Sequence, residues 1–373
     1  MKEWFANYNI RKYGFFLVLC CTAASILGIL LIGSAKEELQ NRQIQGLMIG
    51  LVVMVIVSVV DYHFYLKFYW IIYLAAIALL VAVRLFGDSA GGASRWFEIG
   101  GFRFQPSELV KILLILFYAQ FIMKHKSSLN TFRVIAACVL LILPPFYLII
   151  DQPDLSTSIV ILAIFGTTML VGGLTYKVII PVIAVAVPAI IVFFNLVTRE
   201  GQTILKDFQQ MRILAWLKPD EYASTYAYQQ INSITAIGSG QLNGKGLNNN
   251  VISSVKNGNF ISEAQTDFIF TIAGEELGFI GCCGIIILLF IIVLQCILIA
   301  ARAGDIAGTI IAGGMAGLIG FQTFINIGVT TMILPDTGLP LPFFSYGLTS
   351  LVSIFIGIGC VLNVGMQAND FLQ

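Results

Sequence analysis

Long apolar runs, without the alternation that marks a half-buried strand, recur from one end of the chain to the other. Ten of them, at approximately 14–34, 44–60, 68–86, 107–123, 132–150, 155–174, 178–197, 280–301, 307–333 and 345–366, are long enough to cross a hydrocarbon layer of about 30 Å as helices. In lipid a backbone N–H or C=O must find its partner inside its own segment, so uninterrupted apolarity means helix. The pattern predicts an all-α, polytopic membrane protein with ten transmembrane helices. It forms one domain over residues 1–373, with a long extracytoplasmic loop at about 199–266 between helices seven and eight.

Two further patterns lie in and beside that loop. In KDFQQMRILAWLKP, Phe208, Met211, Leu214 and Leu217 recur at helical spacing opposite Lys206, Gln210 and Arg212, which predicts an interfacial amphipathic helix. Downstream, a straight helix from Asp267 to Ala301 would reach roughly 50 Å at about 1.5 Å per residue, more than the bilayer core. Its first part, with Glu275 and Glu276, should therefore project outside or line a hydrated cavity, bending near Gly274 or Gly278. Between these, the Gly- and Asn-rich end of AIGSGQLNGKGLNNN must turn repeatedly.

Composition agrees: 58% of residues are hydrophobic and 11% charged, where a soluble domain carries about 25% charged residues. A soluble enzyme, a disordered chain and a nucleic-acid binder are excluded, and a net charge of +1 names no acidic partner. The distribution of charge is more informative. With the amino terminus inside, the inner segments hold nine Lys and Arg and the short outer loops five, which places both termini in the cytoplasm. On that topology only Glu3, Asp61, Asp305 and Asp370 among the acids are inside, so the polar chemistry faces outward. The first run, preceded by Lys2, Arg11 and Lys12, is long for a signal peptide and is read as an uncleaved first crossing. All seven cysteines fall in helices, and His63 and His125 are both cytoplasmic, so an outward reaction must proceed without His as base or metal ligand.

Four segments carry candidate chemistry. In FQPSELVKI, Pro106 and Ser107 start a helix and place Glu108 and Lys111 on one face, either as a mutual ion pair or as a polar wall for an anionic substrate. In DQPDLSTS, Asp151 and Asp154 occupy a tight turn where Asp can cap the next helix or serve catalysis. In EAQTDFIFTIAGEELGFIG, Asp267 opens an apolar stretch with no obvious local cation. It is either a helix cap or a desolvated carboxylate with the raised proton affinity that suits a general base. In NIGVTTMILPDTGLPLPFFSYGLTS, three prolines interrupt the helices at membrane depth, tolerable only where protein buries the backbone or a cavity hydrates it. Gln322 and Asn326 precede it and can hydrogen-bond across helices. GSGQLNGKGL around Lys245 lacks the spacing and the Ser or Thr of a phosphate loop.

These segments, in this order among ten spans, resemble the SEDS family of bacterial shape, elongation, division and sporulation proteins (RodA, FtsW, SpoVE). The strongest pieces are GASRWFEIGGFRFQPSELVKI, AIGSGQLNGKG, TDFIFTIAGEELGFIG and TGLPLPFFSYG. Gln265 stands where the family commonly has His, and Leu348-Thr349 where it has Gly-Ser; the TGLPLP segment and short termini lean toward RodA-like members. The resemblance implies a peptidoglycan glycosyltransferase of the bacterial cytoplasmic membrane that polymerises lipid II, with a lipid II flippase or a non-catalytic transpeptidase scaffold as alternatives. It implies Asp267 as the catalytic base, drawing the proton from the acceptor sugar's 4-hydroxyl. Glu108 and Lys111 would lie near the substrate, with Arg95, Lys245 and Asp154 as further substrate-binding candidates. No cofactor motif is evident, and the chemistry leaves room for a divalent cation. The implied partners are lipid II, membrane lipid and a class B penicillin-binding protein.

Overall fold

The computed structural model describes residues 8–90, 93–99, 102–199, 201–202, 205–248, 258 and 260–368. Lys2, Glu3 and Asp370 of the charge argument, and the end of the Asn-rich run at 249–250, lie outside the described residues. Thirteen α-helices of five residues or more follow one another among them: α1 Phe15–Ala35, α2 Glu37–Val59, α3 Tyr62–Leu66, α4 Tyr69–Phe86, α5 Pro106–Lys124, α6 Phe132–Asp151, α7 Leu155–Val171, α8 Tyr176–Val197, α9 Asp207–Leu217, α10 Tyr228–Ser239, α11 Ile269–Arg302, α12 Ile306–Thr330 and α13 Leu348–Met366. Every predicted span coincides with one of them. Nine have the length and apolarity of a membrane crossing; α7, with 17 residues, is the short tenth. Helix α2 begins earlier than its apolar run because Glu37 and Glu38 open it, and carboxylates suit the positive end of a helix dipole.

A small sheet stands beside the helices. Strands β1 Asp88–Ala90, β2 Ala93–Ile99 and β3 Phe102–Phe104 pair antiparallel in that order. Glu98 pairs with Arg103 and Ile99 with Phe102 in the second ladder. The all-α expectation is corrected to this extent. The alternation in RWFEI lies between two spans, and a search for long apolar runs passes over it.

Helices α5, α12 and α13 form the centre of the bundle and bury most of their residues, whereas α8 buries only Val197. It is tied to the rest at its two ends. Asn130 bonds Gly173 O and Thr175 N at one end, and Gln210 Nε2 donates to Val197 O at 2.9 Å at the other. The first and last described segments meet on one face, where Lys12 Nζ donates to Ala368 O at 2.6 Å.

The bend expected near Gly274 or Gly278 is at Gly278, whose φ of 66° and ψ of −164° interrupt α11. Breaking a helix frees backbone groups, and the glycine-rich loop takes them up: Lys245 N and Gly246 N donate to Glu275 O and Glu276 O, while Phe279 N and Ile280 N donate to Gln241 O and Leu242 O. A Cβ at Gly244 would stand 2.1 Å from Glu276 O, so the close approach itself requires glycine there. The motif that superficially suggested a phosphate loop closes a helix break.

Candidate active site

Residues 331–347 join α12 to α13 without forming a regular helix, and buried amide side chains meet their carbonyls. Gln322 Nε2 donates to Pro340 O at 3.0 Å, Asn326 Nδ2 to Leu339 O at 2.6 Å, and Gln230 Nε2 to Leu334 O at 2.9 Å. Trp216 Nε1 on α9 donates to Met332 O at 3.1 Å. This is how an irregular segment survives at membrane depth: protein groups replace water as partners. Gln322 and Asn326, expected to bond across helices, serve this loop.

The loop is zipped in turn to the segment before α11. Asn326 Nδ2 also donates to Asp267 O at 2.8 Å, Ser345 Oγ to Thr266 O at 2.5 Å, and Tyr346 N to Gln265 O at 2.9 Å. Asp267 is thus held by its backbone while its carboxyl points to the loop. At Gly338, where φ is +73°, an added methyl would come within 3.2 Å of Asp267 Oδ2 and 3.9 Å of Arg212 Nη1. The Asp267 side chain keeps partial access to solvent, but protein surrounds it. Burial first, then the charges of Asp336 and Glu263, push its carboxyl up to about 7; Arg212 acts in the opposite sense, and Asp154 adds to the rise.

The other predicted site residues divide between this cluster and its framework. Asp154 is buried and caps α7, accepting from Thr157 N at 3.0 Å, so both of its expected roles remain open to it. Lys111 Nζ pairs with Glu108 Oε1 at 2.8 Å and donates to Gln322 Oε1 at 3.2 Å; with side chains 1% and 3% exposed, the pair is buried and reaches the loop through Gln322. Arg95 donates to Gln152 O at 3.0 Å and to Pro153 O, fastening the turn before Asp154. Lys245 pairs with Glu275 at 2.7 Å beside the helix break.

Two members of the cluster, Arg212 and Asp336, were not singled out from the sequence. Arg212 reads as the polar side of an amphipathic helix, and Asp336 is lost among prolines; the available signal was a carboxylate in an otherwise apolar segment. Among the described residues no group of three His, Cys, Asp or Glu side chains is arranged to hold a metal ion.

Fold and site together define a multi-pass membrane protein with a cluster of carboxylates around Asp267 beside a proline loop. The chain belongs to the FtsW/RodA/SpoVE family of cell cycle proteins, whose model matches residues 6–370. It is 35% identical to the peptidoglycan glycosyltransferase MrdB of Escherichia coli K12 over 353 residues, 93% of this chain and 92% of that protein. It is 31% identical to the probable peptidoglycan glycosyltransferase FtsW of Bacillus subtilis, covering 95% of this chain and 87% of that one. Among solved structures it is similar to a chain of a peptidoglycan synthase complex that coordinates polymerization and crosslinking, with a TM-score of 0.78, 28% identity and coverage of 95% and 97%. It is similar also to the rod shape determining protein RodA of Thermus thermophilus, with a TM-score of 0.69, 27% identity and coverage of 96% and 98%.

Proposed function

We propose that this chain is a peptidoglycan glycosyltransferase that polymerises lipid II at the outer face of the bacterial cytoplasmic membrane, with Asp267 as general base. The observation that carries the reading is the Asp267 carboxyl, surrounded by protein beside the proline loop and pushed up to about 7, which is the proton affinity a base needs near neutral pH. Asp267 takes the proton from the acceptor sugar's 4-hydroxyl, and that oxygen attacks the anomeric carbon of the donor. The bond from that carbon to the lipid diphosphate breaks, and the diphosphate leaves with the electron pair.

The remaining residues support the framework around Asp267. Glu108 and Lys111 hold Gln322, and through it Pro340, so the loop facing Asp267 keeps its shape. Arg95 holds the turn that presents Asp154, and Lys245 holds the break in α11. The membrane supplies the substrate: α8 touches the bundle at its ends, so a polyprenyl tail can lie beside it with its headgroup near Asp267. Both termini are cytoplasmic in this reading, supported by the meeting of the first and last described segments on one face and by the inward bias of Lys and Arg. The partner is a class B penicillin-binding protein on the outer loops and lateral helices, supported by the likeness to a chain of a synthase complex.

Purified protein with lipid II and a matched transpeptidase partner should make glycan chains. Asp267→Asn should lower the rate by about 10²–10⁴-fold, the range for losing a general base, with folding intact. Polymer formed at the unaltered rate would remove Asp267 from the chemistry. Lipid translocation that survives the substitution with no polymer formed would favour a flippase instead.

A further inference from the structure

One cation and one carboxylate beside Asp267 have no part in the reaction just described. Arg212 on α9 stands with Nη2 3.7 Å from Asp336 Oδ2 on the proline loop. That is an ion pair but longer than a hydrogen bond, so the guanidinium is held in place without being locked to its partner. The other oxygen of Asp336, Oδ1, is buried without a hydrogen-bond partner, which leaves its charge poorly compensated. Gly338 contributes no side chain beside Arg212 and Asp267, where a methyl would touch Asp267 and approach Arg212.

The two groups are anchored by contacts other than their own ion pair. Helix α9 is fixed by Gln210 Nε2 donating to Val197 O at 2.9 Å and Arg199 O at 3.0 Å, and by Trp216 on Met332 O. The loop bearing Asp336 is fixed by Gln322, Asn326 and Gln230. A loop so pinned does not need a long, part-exposed ion pair for its stability, because such pairs contribute little. The charges facing Asp267 are Arg212 from α9, Asp336 from the proline loop, Glu263 from the segment before α11 and Asp154 from the start of α7. One cation thus stands against three carboxylates.

We propose that Arg212 and Asp336 are an opposed pair of positioning residues for the glycosyl-transfer step, the guanidinium favouring the ionised, proton-accepting state of Asp267 and Asp336 favouring its protonated state. A base held too acidic abstracts protons weakly and one held too basic is already protonated, so two opposing neighbours bring it near the working pH. The kinetic side of this rests on Asp267 being the base. The electrostatic side does not.

The test is a pair of pH series on the full chain with its transpeptidase partner and lipid II. For Arg212→Gln, the ratio of the rate at pH 6 to that at pH 8.5 should fall about tenfold below the wild-type ratio, the effect of a one-unit rise. For Asp336→Asn the ratio should increase, and Arg212→Lys should restore most of the wild-type profile. Equal loss at every pH, or displacement of both profiles in the same direction, would overturn the proposal. An infrared titration of the Asp267 carboxyl, isolated by difference against Asp267→Asn, reads the same effect without turnover. Opposite displacements there with flat rate profiles would keep the pair and remove Asp267 from proton transfer. A carboxyl unmoved in both variants would overturn the pair itself.

Discussion

Both ends of the molecule carry clustered carboxylates, and the two clusters are built to opposite effect. On the face where the first and last described segments meet, His63 bridges Asp61 and Asp305 at 2.9 Å each, Tyr62 Oη donates to Asp305 at 2.9 Å, and Gln367 Nε2 donates to Asp61 at 3.1 Å. Burial would raise both acids, but these donors outweigh it, so both lie below the usual carboxylate range. At the other end burial of Asp267 is reinforced by Asp336, Glu263 and Asp154, with Arg212 alone in opposition. One cluster ties α3, α12 and α13 together; the other surrounds the proposed base. Carboxylates supplied with donors build structure, and those deprived of them are available for chemistry.

Substitutions at the two ends should therefore move stability in opposite directions. Asp305→Ala removes the cap on Gly308 N and the partners of Tyr62 and His63, and should cost about 1–2 kcal/mol, the usual loss for a helix cap. It should appear as a lower unfolding midpoint at pH 8. Asp267→Asn should raise that midpoint by a smaller amount. The folded carboxyl is pushed up to about 7 from an ordinary 3.8, so stability is lost progressively as pH rises from 3.8 to about 7 and the full penalty persists above it. The gain should shrink toward pH 4, and a destabilised Asp267→Asn at pH 8 would break the comparison.

The smallest effect belongs to His63, whose imidazole is raised first by its bond to Asp305 and further by Asp61, against a lowering by burial. A raised histidine stabilises fully below its unfolded value and loses that contribution as pH rises through the folded one. His63→Gln should lower the unfolding midpoint at pH 5.5, with the deficit narrowing by pH 9. A deficit that widens with pH would contradict the assignment of charge to this bridge.

The spans were legible because continuous apolarity admits only a helix in lipid, and the break at Gly278 because the implied length exceeds the membrane. Helix α9 was legible in place but not in facing. Gln210, read as solvent-side, is buried on two carbonyls of the α8 end, a partner that helical spacing cannot reveal. Asp267 stood out because no cation is near it in sequence. Arg212 and Asp336 did not, because they meet it only after α9 and the proline loop fold over the start of α11. Glu108 and Lys111 were legible as a pair, but whether they face a cavity or another side chain depends on Gln322, far along the chain.

The most direct test of the account is the pH dependence of the initial polymerisation rate of the unaltered protein with lipid II. Loss of the Asp267 proton should make the rate rise with pH and level off, with a midpoint near 7. A midpoint near 3.8, where an ordinary aspartate titrates, or a rate indifferent to pH through neutrality, would contradict it.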